Sequence, residues 1–284
     1  MKKLVESLAS LGKVLIKSRP LKNPAPDEER RRLVVMGNGP SLRQTITEFG
    51  DELRACDTMA VNFAANTEEF FRLRPRHYVL ADPHFFSRNF AEGENSEKRM
   101  HPNVETLWTN LARADWPLTL HVPVGARVPE LPQQVTIRRF NMTPAEGYRS
   151  VSHFLFRRGL AMPRPRNVLV PALMEGIREG YKEIYVVGAD HTWPHTLHVD
   201  ESNRVVTVQP HFYKENQKEL DRIAEAYANV RLHEVLGSMV VAFRSYHEVE
   251  AYSRSRGVKI YNATPESLID AFERCSLGGD RRDS

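Results

Sequence analysis

Between residues 32 and 272, short apolar runs rich in β-branched residues alternate with longer stretches of helical periodicity, and this alternation leaves few folds open. The first run, Leu33-Val34-Val35-Met36, has no polar position, as expected of a strand buried on both faces. The same signal predicts strands over 58–62, 77–81, 118–122, 135–139, 183–187 and 258–261. Strands separated by helices require crossover connections, and crossovers build a parallel sheet with helices on both faces. The expected fold class is therefore a doubly wound α/β domain with a mostly parallel, Rossmann-like sheet. Helix punctuation agrees with this reading. A helix is expected over 41–55, Thr143 with Glu146 reads as a capping box, and Thr264-Pro265 reads as an N-cap followed by proline. Gly180 closes a helix that begins near Val168. Leu232, Val235, Leu236, Met239, Val240, Phe243 and Tyr246 trace the apolar face of a long helix and read as core.

Composition narrows the function classes. A hydrophobic share of 41% is enough to bury a core and excludes a fully disordered chain. The net charge of +4 is spread along the chain, without a basic stripe interleaved with aromatics, so no nucleic-acid partner is expected. Cys56 and Cys275 stand far apart with no metal-type spacing, which suits a reducing compartment. No apolar run is long enough to span a bilayer, and the N-terminus lacks the features of a secretory signal. A cytoplasmic location follows as an expectation.

Residues 1–31 stand apart from the domain pattern. Leu4, Leu8, Leu11, Val14 and Leu15 recur at helical spacing, flanked by Lys2, Lys3, Lys13, Lys17, Arg19 and Lys22. Such a helix either packs on the domain or rests on an anionic lipid surface at the inner face of the cytoplasmic membrane. Residues 18–31, rich in proline and charge, read as a linker. The catalytic domain is expected over 32–275, with 276–284 as a frayed tail.

The first strand runs into Gly37-Asn38-Gly39-Pro40-Ser41. The glycines permit positive φ and close approach of a ligand to the backbone, and Ser41 opens a helix whose free N–H groups favour an anion. This is neither the three-glycine dinucleotide fingerprint nor a P-loop. Other strand ends present Asn62, Asp82 and Gly188-Ala189-Asp190. Asparagine and aspartate are also routine loop residues, but in such sheets ligands bind outside the carboxyl ends of the strands. His191, His195, His198 and His211 then crowd a short span with Asp190, Asp200, Trp193 and Tyr213. Their spacing fits no standard metal pattern, so acid–base chemistry ranks above a metal site.

Three blocks carry a family resemblance: VVMGNGPSL at 34–42, EGYKEIYVVGAD at 179–190 and VKIYNATPESLI at 258–269. In order and spacing the chain resembles the bacterial CMP-sialic-acid-dependent sialyltransferases of lipooligosaccharides, within a wider set that includes motility accessory factors and pterin pyrophosphokinase-like domains. The resemblance implies that Gly37, Asn38, Gly39 and Ser41 contact nucleotide phosphate and ribose. Asn62 and Asp82 would lie near donor and base, although Asp82 departs from the family's asparagine. Asn167 falls near the family's Thr-Ser pair, and Gly188, Ala189 and Asp190 would border cytosine and ribose. A lid over about 191–213 is implied, with His211 as base and Tyr213 on the leaving phosphate, and with His191 as the alternative base. The implied reaction transfers a sugar acid (sialic acid, Kdo or a related nonulosonate) from a CMP-sugar to a lipooligosaccharide or capsule glycan. It requires no metal or other cofactor. Retention of configuration would need a nucleophilic carboxylate such as Asp190. Two other readings stay open: a pyrophosphokinase-like enzyme using ATP and magnesium through Asp82 and Asp190, and a nucleotide-binding module without catalysis.

Overall fold

The computed structural model describes residues 1–22, 31–86, 102–206 and 230–278. Its centre is an eight-stranded sheet in the order β10-β9-β6-β1-β2-β3-β4-β5, with every neighbouring pair parallel. The strands are β1 (Arg32–Met36), β2 (Asp57–Val61), β3 (His77–Val79), β4 (Leu118–Pro123), β5 (Val135–Phe140), β6 (Glu183–Val187), β9 (Lys259–Asn262) and β10 (Glu273–Arg274). A two-residue antiparallel pair, β7 (His198–Val199) and β8 (Val205–Val206), lies outside the sheet.

Pleating sends successive side chains to opposite faces, so each central strand feeds two cores. Leu33, Val35, Met59, Val61, Ile184 and Val186 pack toward helices α6 (Arg149–Arg157), α7 (Leu169–Arg178) and α8 (Leu232–Ser255). Val34, Met36, Ala60, Tyr78, Tyr185 and Val187 pack toward α2 (Ser41–Glu48), α3 (Gly50–Arg54), α4 (Glu68–Leu73) and α5 (Pro102–Ala112). The doubly wound Rossmann-like α/β fold expected from the strand pattern is the fold observed. Gly176 explains how closely α7 approaches: a Cβ there would stand 2.8 Å from Leu33 Cδ2. Gly180, at φ +96°, ends the helix as anticipated.

Several local expectations change. The helix expected over 41–55 breaks at Phe49, whose φ of −123° and ψ of 28° separate α2 from α3. Thr143 and Glu146 open no helix. Thr143 Oγ1 accepts from Ser18, and Glu146 takes a bidentate pair from Arg164, so α6 starts only at Arg149. Thr264 and Pro265 open none either. The Thr264 hydroxyl donates to Val186 O and accepts from Ala189 N, making the segment a strap across the end of β6. In α8 the apolar face divides into two stripes. Val235, Met239, Ala242, Tyr246 and Val249 are buried, while Leu232, Leu236 and Val240 are exposed.

Helix α1 (Lys2–Lys17) meets the domain through its small polar residues rather than its leucines. Ser7 Oγ accepts from Tyr148 N and Ser10 Oγ from Glu146 N, while Val14 fills the core beside them. Gly147, at φ +109°, makes room: a Cβ there would lie 2.3 Å from Ser7 Oγ. Leu4, Leu8, Leu11 and Leu15 consequently face outward, with Leu15 85% exposed.

Candidate functional site

Strand order reverses between β1 and β6, because the chain proceeds from β1 toward β2 on one side and later returns on the other. Loops leaving the carboxyl ends of two such strands diverge to opposite faces and open a crevice. Here the two loops are the glycine turn after Met36 and the Gly188-Ala189-Asp190 segment. Gly37 N donates to Val187 O at 2.8 Å, and Gly39 N donates to Gly188 O at 2.7 Å. A Cβ on Gly37 would come within 2.4 Å of Gly188 O, and one on Gly39 within 1.9 Å of Asp190 Oδ2. Of the three glycines only Gly188 has positive φ, at +63°. The glycines of the turn thus accommodate the neighbouring loop, a reason that the sequence reading did not include.

The same contact fills the start of α2. Asp190 Oδ1 accepts from Ser41 N at 3.2 Å, and Asp190 Oδ2 accepts from Ser41 Oγ at 2.8 Å. An internal carboxylate therefore occupies the helix terminus where an anion was expected. Ala189 is buried, with its N–H donated to Thr264, and neither it nor Ser41 reaches the open crevice.

The crevice is a cleft of about 840 Å³ that brings Gly37, Asn38, Gly39, Asn62, Asp82, Asn167, Gly188, Asp190 and His191 onto one surface. That volume is in the range of small-molecule sites. Asn38 is buried, at 8% exposure; its Nδ2 donates to Val61 O, and its enclosed Oδ1 has no partner among the described residues. An enclosed acceptor of this kind costs free energy until a donor arrives. Asn62 turns into the cleft at φ +50°, while Asp82 Oδ1 accepts from His84 N. Arg166, adjacent to Asn167, is the one lysine or arginine among the described residues lining the cleft; Asp82, Asp190 and Glu234 are its carboxylates. The start of α7 also faces this space through Asn167, Val168 and Leu169, adding the positive end of a ten-residue helix.

His191 is set differently from the other histidines of its span. Its backbone is left-handed at φ +54°, and its ring lies against Trp193, Phe243 and Tyr246. Nε2 is 2.7 Å from the Tyr246 hydroxyl, which is 3.0 Å from Asn167 Oδ1. Burial pushes the His191 pKa down to about 4 and raises that of Tyr246, so both groups are neutral at pH 7. His195 and His198 are exposed, and Asp200 is bound to Arg204 in the β7–β8 turn. Among the described residues no group of three His, Cys, Asp or Glu side chains could hold a metal ion. His211 and Tyr213 lie outside the described residues, as does the end of the span expected to form a lid. Sequence reasoning missed Arg166 and the polar role of Tyr246. The position of Arg166 just before α7 was the available signal for the first; for the second there was none, since Tyr246 fits an apolar stripe.

Comparison with known proteins places the fold but not the activity. No family model matches the chain, and no curated protein matches it. Its structure is similar to that of the MAf glycosyltransferase from Magnetospirillum magneticum AMB-1, with a TM-score of 0.51. The alignment covers 98% of this chain at 12% sequence identity. This chain spans only 39% of that protein. Identity this low makes the likeness one of fold.

Proposed function

We propose that the chain is a glycosyltransferase that binds a CMP-linked sugar acid in the cleft and transfers the sugar to a bacterial surface glycan. The observation that carries this reading is the cleft at the reversal point of the sheet, which gathers Asn38, Asn62, Asp82, Arg166 and Asn167 onto one surface. A nucleoside offers its ribose hydroxyls and the cytosine amine as donors to the amide and carboxylate oxygens of such a lining. Arg166 and the first turn of α7 would receive the phosphate or the sugar's carboxylate. The similarity in fold to a glycosyltransferase supports the reaction class.

In the proposed step the acceptor hydroxyl oxygen bonds to the anomeric carbon as the bond from that carbon to the phosphate oxygen breaks. CMP leaves with the bonding pair, and the hydroxyl proton passes to His191. Both Asp190 oxygens are engaged by Ser41, which favours direct displacement with inversion over a covalent intermediate on that carboxylate. His211 is retained as the alternative base, and Tyr213 as the candidate for contact with the leaving phosphate.

The deciding measurement is thermal stabilisation by CMP, CDP, ATP and GTP, each with and without magnesium. Stabilisation by CMP in the absence of metal is expected. A preference for ATP with magnesium would instead favour the pyrophosphokinase chemistry and overturn the proposal.

We also infer that α1 seats the enzyme on anionic lipid at the inner face of the cytoplasmic membrane. Its leucine face is turned away from the domain, and exposed Lys2, Lys3 and Lys17 border it. No helix among the described residues is long and apolar enough to cross a membrane. Leu8→Ser with Leu15→Ser should abolish co-sedimentation with vesicles containing phosphatidylglycerol while leaving CMP binding intact. Undiminished sedimentation would remove the membrane role.

A further inference from the structure

Hydrogen-bond donors and acceptors around His191 can be assigned without ambiguity. The backbone N–H of Leu169 donates to Asn167 Oδ1 at 3.0 Å, which identifies that atom as the amide oxygen rather than the nitrogen. An amide oxygen only accepts, so the Tyr246 hydroxyl must give it its single proton across 3.0 Å. The Tyr246 oxygen is then left as an acceptor, and the atom facing it at 2.7 Å is His191 Nε2. Nε2 therefore carries a proton. Since burial keeps the ring neutral, that is its only one, and Nδ1 holds a bare lone pair. No described group is hydrogen-bonded to Nδ1, nor is it among the sealed polar atoms, and His191 lines the cleft.

We propose that Tyr246 and Asn167 are positioning residues that hold His191 as its Nε2–H tautomer and so present Nδ1 to the cleft as the proton acceptor of the transfer reaction. The arrangement draws on three parts of the chain. His191 follows β6, Asn167 precedes α7, and Tyr246 belongs to α8. Tyr246 is completely buried, so its hydroxyl has no water to fall back on. The left-handed backbone of His191 turns the ring back against α8 instead of outward with His195. As the acceptor hydroxyl loses its proton to Nδ1, the Nε2–H bond to Tyr246 persists and the positive charge is shared with a fixed dipole. The catalytic part of the proposal rests on the transfer reaction above; the tautomer does not.

The two parts separate experimentally. In protein labelled with ¹⁵N-histidine, the His191 resonances are assigned by their loss in His191→Gln. The expected wild-type pattern at pH 7 is an Nε2–H tautomer that does not titrate above pH 5. Tyr246→Phe should convert it to mixed tautomers that still do not titrate above pH 5, since the ring stays buried, with the His77 and His121 signals unchanged as a control for folding. Asn167→Asp, which preserves an acceptor, should retain the wild-type pattern, whereas Asn167→Leu should not. An Nδ1–H tautomer in the wild type would overturn the proposal, as would a tautomer indifferent to Tyr246→Phe. Where CMP-sugar turnover is measured, Tyr246→Phe should lower kcat about 100-fold at little change in KM. Unchanged kcat would remove the catalytic part. A wild-type protein that consumes no CMP-sugar donor would defeat the transfer reading and leave the tautomer result standing.

Discussion

Two groups of histidine and tyrosine occupy opposite ends of the sheet, and they are finished differently. Toward the amino end, Tyr181 donates to Asp57, His77 Nε2 lies 2.9 Å from Tyr181, and His77 Nδ1 lies 3.1 Å from His121 Nε2. His121 Nδ1 then meets Glu175 at 3.2 Å, and Glu175 meets Arg178. Every ring nitrogen in that chain has a protein partner. At the carboxyl end, the His191–Tyr246–Asn167 chain stops one atom short, leaving Nδ1 open to a cleft. The same residue types thus serve as core in one place and as available chemistry in the other. A spare nitrogen beside a cavity makes the difference, not the presence of a tyrosine partner.

The largest expected effect breaks the closed network. Glu175→Leu removes the partner of both His121 and Arg178 inside the core, and loss of one member of a buried charged pair costs about 3–5 kcal/mol. Urea denaturation should record that loss. His191→Gln should cost about 1 kcal/mol, since only one hydrogen bond is lost, while turnover disappears. Equal destabilisation by the two substitutions would erase the distinction between the networks.

The second effect is a pH dependence confined to the open site. The unfolded chain protonates His191 near its ordinary value of about 6.5, and the folded chain only near about 4. Within that window the unfolded state binds more protons, so stability falls as pH is lowered from about 6.5 to 4 and the contribution then levels off. The full difference is on the order of 3 kcal/mol. Wild type and His191→Gln should diverge across this interval, and parallel stability curves would show that the ring is not held neutral.

Gly39→Ala tests whether the open end is as firmly built as the closed one. The added methyl would meet Asp190 Oδ2 and Gly188 O, forcing apart the loops that define the cleft. A cost of about 1–3 kcal/mol is expected, measured by thermal unfolding together with weaker CMP binding. A neutral result would mean that the two loops move independently.

The difference between the two ends also explains what could be read in advance. Strands such as Leu33-Val34-Val35-Met36 were legible because burial on both faces leaves a continuous apolar run. Asn38, Asn62, Asp82 and Asp190 were legible as strand ends, and the fold brings them to one cleft. What those residues bond to was not legible. Asp190 reaches back 149 positions to Ser41, and Thr264 reaches back to Ala189; neither separation leaves a local pattern. Tyr246 satisfies the apolar periodicity of α8, so its hydroxyl went unread. The amphipathicity of α1 was plain, but the face it offers the domain depends on Ser7, Ser10 and a glycine 140 positions away from Ser7, at Gly147.

The smallest change in stability is expected at Asn38, and there the sign carries the information. Asn38→Leu removes the bond from Nδ2 to Val61 O, a loss of about 1 kcal/mol, but it also removes the enclosed Oδ1 that has no partner. Relief of an unsatisfied acceptor is worth about as much. The two contributions oppose each other, so the melting temperature should hardly move. CMP affinity should nevertheless fall about tenfold, because the cleft loses a polar lining residue while the fold is kept. A clear loss of stability with unchanged CMP affinity would mean that the atom serves the fold, as its counterparts at the amino end do.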